Sequence, residues 1–289
     1  MLKKFQQMEI KLINSEQQLR SLIPNVIGAV EGEVPLLERM GSFLDNAQAW
    51  FVATFFGSRT DVFRRLFDEE NVELLVLART ATANEAFSRA LPMLDVMFTP
   101  NGMAVVNTQN LAPASTSRVD RLAAGVIEAR DGALEQLLMS LHTLQGWAEL
   151  PHVQNSIGFT LFQDFEAVKP LRQEGQGRWD SFTALRQEIF AIEELFADRF
   201  FSPELMKTLR LKALEHSLTT EQLYVANRIK ATVITKLQGK YSPHKTLSTI
   251  VDYIRKRPEA FPEWHDSETA ALFSPPVFIN KKNSTGYFF

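Results

Sequence analysis

Residues 37–58 read LERMGSFLDNAQAWFVATFFGS, and their apolar positions decide the fold class. Leu37, Met40, Leu44, Ala47, Phe51 and Phe55 recur every three or four residues, the spacing of one helical face. The pattern predicts a helix from about Glu33 to Phe56, with Gly57 as a left-handed stop. Ser58 with Asp61 then reads as a capping signal for a short second helix through Phe67. The same stripe returns 145 residues later in FTALRQEIFAIEELFADRFFS, residues 182–202, as Phe182, Leu185, Ile189, Ile192, Phe196 and Phe200. Both copies end in a Phe-Phe pair, Phe55-Phe56 and Phe200-Phe201, and a serine follows each, Ser58 and Ser202.

Outward from the stripes, the flanks repeat as well. Ile10-Lys-Leu-Ile-Asn14 resembles Phe159-Thr-Leu-Phe-Gln163 at an offset of 149, and Pro276-Val-Phe-Ile-Asn280 is a third version. The last two versions each follow a tryptophan and a serine, Trp147 with Ser156 and Trp264 with Ser267. Such self-similarity is the mark of a repeated architecture. The expected fold is mainly α: two tandem related helical-bundle units with short β-strands or hairpins at their joints. The first unit spans residues 1–158. The second, shorter unit spans 159–289 and closes with a C-terminal hairpin from Val277 to Phe289.

The first unit carries an insertion with a different period. Residues 95–107 place Asn101-Gly102 between two apolar runs, with Pro100 before them. Asn-Gly supplies the positive backbone angles of a tight hairpin turn, so a β-hairpin is expected there. A hairpin outside a helical core is a partner-binding edge, or else a cap on the first bundle. A long helix should follow from about Thr116 to Gln145, and Gln173–Gly177 should be a loop.

Composition excludes several classes of function. The chain has 289 residues, 45% hydrophobic and 22% charged, with 31 basic and 34 acidic side chains. A formal charge of −3 argues against wholesale nucleic-acid binding, which needs a clearly basic domain. Without cysteine there is no disulfide, thiolate nucleophile or cysteine metal site. The opening MLKKFQQME turns polar before any apolar core forms, so no secretory signal is expected. No apolar run approaches a membrane span, and a cytoplasmic location is expected, or a virion-associated one if the chain is phage derived, as the resemblance described below implies.

Chemistry is not visible. No two of His142, His152, His216, His244 and His265 stand at helical metal-ligating spacing. Glu263, His265, Asp266 and Glu268 form the one dense cluster of metal-ligating types, and they read as a solvated acidic loop beside Trp264. Glu193-Glu194 and Asp68-Glu69-Glu70 are carboxylates on helix faces or at a helix start, where acids suit the dipole. No catalytic, cofactor-binding or metal residue is assigned.

One resemblance emerges. The order of an Asn-Gly hairpin, Pro113-Ala-Ser115, Arg118-Val-Asp-x-Leu122 and a long helix resembles an uncharacterised α-rich family of Bacteroidetes genomes and prophages. Phe200-Phe-Ser-Pro-Glu-Leu-Met206, before a helix behind Thr219-Thr220, fits it too. The resemblance implies a non-enzymatic structural or assembly protein of phage or prophage origin, similar to head–tail connectors or adaptors. Its partners would be proteins: further copies of itself, a phage portal or a neighbouring virion protein. The alternative is a cytoplasmic enzyme or small-ligand binder with a site in a cleft between the two units, gathering His142, His216, Glu193 and Arg186.

Overall fold

The stripe at residues 37–55 becomes two helices, α2 (Leu36–Arg39) and α3 (Gly41–Phe55). The single helix expected from Glu33 is broken by a turn at Met40, whose side chain is fully buried. The computed structural model describes residues 10–23, 34–94, 96–99, 102–105, 115–171, 177–240 and 244–273. Ahead of α2 stands α1 (Glu16–Leu22), and after α3 come α4 (Thr60–Arg64) and α5 (Val72–Ala90). Two strands, β1 (Val96–Thr99) and β2 (Gly102–Val105), then precede α6 (Thr116–Ser140) and α7 (Pro151–Ser156). The remainder is α8 (Arg178–Phe196), α9 (Pro203–Leu214), α10 (Thr220–Leu237), α11 (His244–Arg255), α12 (Pro262–His265) and α13 (Glu268–Leu272). The protein is mainly helical. No helix among the described residues is long and apolar enough to cross a membrane.

The chain divides into two compact units, Met1–Glu188 with Arg210–Ser217, and Ile189–Leu209 with Leu218–Phe289. These bounds do not coincide with the repeat units 1–158 and 159–289 read from the sequence. In the first unit, α5 packs along α6 and across α3. Leu44, Ala47, Phe51 and Phe55 of α3 are all buried, as the stripe demands. Trp179, at the start of α8, lies among aromatic rings, 6.2 Å from Trp50, 5.7 Å from Phe55, 6.1 Å from Phe165 and 5.9 Å from Phe182. Each such ring stabilises the fold by about 1.5–3 kcal/mol on burial. In the second unit, Leu247, Ile250, Val251 and Ile254 form the buried face of α11, and α10 packs against it.

Expected strands at residues 10–14 and 159–163 are absent. Among the described residues Ile10–Asn14 has no partner strand; side chains take the place of the ladder. Gln48 accepts from the Leu12 N–H at 2.7 Å and donates to the Ile10 carbonyl at 2.8 Å, while Arg79 donates to the Leu12 carbonyl at 2.8 Å. Phe159–Gln163 is a turn in which Gln163 donates to the Thr160 carbonyl at 2.7 Å. Leu12, Leu161 and Phe162 are nonetheless fully buried, so the apolar pattern reported burial and not strand pairing. The third version at 276–280 and the C-terminal hairpin lie outside the described residues.

Between α5 and α6 the backbone of β1 and β2 pairs antiparallel, Val96 opposite Val105 and Thr99 opposite Gly102. The sheet has these two strands alone among the described residues. Pro100 and Asn101, at the expected turn, lie outside them.

Candidate functional site

Buried charge is the first place to look for chemistry, because proteins keep it only where it is paired. On α6, Arg130 is 5% exposed and Asp131 fully buried. Arg130 donates to Glu85 of α5 at 2.8 Å, to Asp131 at 2.8 Å and to Asp180 of α8 at 2.9 Å. Asp131 also accepts from the backbone N–H groups of Arg178 at 2.6 Å and Trp179 at 3.3 Å. These are the orphan donors of the first turn of α8, so a side chain from α6 caps α8. Burial pushes the Asp131 carboxyl above the usual aspartate range, opposed by Arg130 and the two backbone donors. The same acids hold the Arg130 guanidinium more firmly protonated, against the pull of its burial. Gly177 packs closely against them: a Cβ there would come within 2.8 Å of Arg130 and 2.9 Å of Asp131 and Asp180, so these side chains would have to shift. The network joins three helices, α5, α6 and α8.

Of the four residues proposed for a cleft, three lie in the first unit and one in the second. His142 and His216 stack in the first unit, ring centres 4.1 Å apart and planes within 18°. Arg186, also in the first unit, lies between the rings of Phe159 at 4.5 Å and Phe182 at 4.6 Å and donates to the Ile157 carbonyl. That is a packing role. Glu193 is fully buried in the second unit.

The acidic cluster keeps its three carboxylates together and loses its histidine. Glu263, Asp266 and Glu268 line a recess in the second unit with Asp198 and Glu204. His265 turns away: its Nε2 is 3.3 Å from the Ile254 carbonyl, and its ring meets Trp264 edge-on. Among the described residues no three histidine, aspartate or glutamate side chains are placed to hold a metal ion.

Apolar surface that water should not see is more informative. Val72 and Val76 of α5 and Met139 of α6 are 56%, 49% and 54% exposed. They line one groove, of about 470 Å³, with Leu77 and Gln136. Sequence reading missed it, since Val72 and Val76 look like ordinary members of a helical stripe. The signal was present in the register: they stand two positions away from Leu74 and Ala78, on the side of the helix turned from the buried face that Leu74, Ala78 and Ala81 set.

Two features of the helix ends occur in both units. The Trp147 indole donates to the Phe55 carbonyl at 2.8 Å, and the Trp264 indole donates to the Phe200 carbonyl at 2.9 Å. Just beyond, Gly57 has φ +60° and Ser202 has φ 66°. Ser202 is fully buried, and its hydroxyl accepts from the Leu205 N–H at 3.2 Å.

No curated protein and no solved structure matches the chain. Residues 31–148 match the model of a family described as one of unknown function, DUF6712. That span runs from just before α2 through α6 and ends one residue past Trp147, the side chain that bonds back to the end of α3. The match covers 118 of the 289 residues, and over that span the chain is similar to a family whose description names no activity.

Proposed function

We propose that this is a non-enzymatic assembly protein that acts through protein–protein surfaces and associates with further copies of itself through the 95–107 hairpin. The observation that carries the reading is the two-stranded sheet. Each strand pairs on one side only among the described residues, which leaves a row of backbone donors and acceptors on each outer edge. A lone hairpin is marginal in water and gains most by adding a further strand. The closed Arg130 network supports the reading from the other direction, since the buried charges of the first unit hold helices together.

The repeat belongs to the same proposal. The two units descend from one ancestral helical bundle. In support, Phe55 and Phe200, like Gly57 and Ser202, stand at the 145-residue offset of the stripes, and the carbonyl of each phenylalanine accepts from a tryptophan, Trp147 or Trp264. A phage or prophage origin and a connector-like place beside a portal follow from the sequence resemblance. Neighbouring portal, capsid or tail genes would support them, and metabolic neighbours would remove them.

The experiment is light scattering on the eluting full chain beside a variant with residues 95–107 replaced by a short Gly-Ser linker. Association of the full chain, lost in the variant at unchanged helical circular dichroism, is expected. A full chain that stays monomeric, or a variant that associates equally, overturns the hairpin's role.

A further inference from the structure

We infer that the groove between the start of α5 and the end of α6 is a docking site for an amphipathic helix of a partner protein, with an aliphatic stripe and a lysine or arginine beside it. Three large apolar side chains converge there. Val72 and Val76 stand one helical turn apart on α5, and Met139 faces them from α6. Singly exposed apolar residues are ordinary, but three around one groove form a patch that association would remove from water. The groove continues into a second recess of about 420 Å³, which adds Glu70, Asn71 and Thr143 to its lining.

Charge selects the occupant. Among the described residues, the ionisable ones lining either recess are Glu70 and Glu73, with no basic side chain beside them. Both acids stand in or next to the first turn of α5, where the helix dipole already favours them. They give an otherwise apolar slot one acidic end. An aliphatic ligand alone leaves these carboxylates to be desolvated unpaired, whereas a cationic side chain at that end pairs them. The one-turn spacing of Val72 and Val76 suits anchors at i and i+4 of a helix laid along the groove. The groove has room for a few such side chains and not for a folded domain.

The site is separate from the hairpin, so the two claims fail separately. The test is selection of a random library of displayed helical peptides on the immobilised full chain. Enriched peptides should carry aliphatic residues at i and i+4 and a flanking lysine or arginine. Val76→Asp should weaken their binding by roughly tenfold or more, the scale of an interface anchor, with unchanged thermal unfolding. Glu73→Lys should weaken basic peptides and strengthen versions in which their lysine is replaced by glutamate. The hairpin-replaced chain should bind them as well as the full chain does. Failure to enrich any peptide sensitive to Val76→Asp overturns the proposal, as does enrichment of peptides indifferent to Glu73→Lys. If Val76→Asp instead abolishes association of the full chain with itself, the occupant is a second copy and the partner-helix proposal is wrong.

Discussion

Gly57 and Ser202 meet a positive φ with different residues. Both take a positive φ directly after a Phe-Phe pair. Glycine does so without strain, while a side chain there costs about 1–2 kcal/mol. In the second unit the serine hydroxyl recovers part of that cost by capping Leu205. In the first unit the space is taken, since a Cβ on Gly57 would lie 2.8 Å from the His152 ring. Gly57→Ser therefore imports the second unit's solution into a site that cannot hold it. The expected loss is about 2–4 kcal/mol in urea unfolding, from strain plus overpacking. A loss below 1 kcal/mol would show that His152 swings aside freely. Gly57 was legible in the sequence as a helix stop. The role of Ser202 was not, because a left-handed serine carries no composition signal and the sequence offered it as an ordinary cap.

At the scale of elements, α8 starts where it does because α6 supplies its cap. Asp131→Ala removes the acceptor for Arg178 and Trp179 and one partner of a buried arginine, a loss of about 3–5 kcal/mol. Asp131→Asn keeps an acceptor and should lose only about 1–3 kcal/mol. Equal losses from the two variants would mean that charge, and not capping, carries the contact. The junction of α1 with α2 responds to acid. Glu16 accepts from the Leu37 N–H at 2.7 Å and pairs with Arg20 at 2.6 Å. Burial works to raise its pKa, yet these donors together hold the carboxyl below the usual glutamate range. A lowered folded-state pKa gives stability that is complete above the ordinary glutamate value and is lost as pH falls through the lowered one. Amide exchange at Leu37 should accelerate in that acidic window in the natural chain. In Glu16→Gln it should already be fast at neutral pH and show no such step. Helix stripes and caps such as Thr219 with Gln222 were open to sequence reading, because they depend on neighbours three or four residues away. A cap that reaches across 47 residues, or a glutamine standing in for a strand, depends on tertiary placement and leaves no local pattern.

For the whole molecule, the recurring stripes go with similar helix ends, each with a tryptophan bonded to a phenylalanine carbonyl. They do not say what the helices are for. The candidate surfaces lie where the two halves of the sequence differ: the hairpin inserted between α5 and α6, and the groove that the long α6 forms with α5. Length reads directly from sequence, since 25 residues of α6 stand against 12 of α11. Exposure does not, because it depends on what packs across a helix. If the hairpin edges are assembly surfaces, their backbone amides must change partner when copies meet. Hydrogen exchange of residues 96–105, followed against protein concentration, measures this directly. Exchange that is fast in dilute solution and slows selectively as concentration rises is the expected result. Fast exchange at every concentration would contradict assembly through the hairpin.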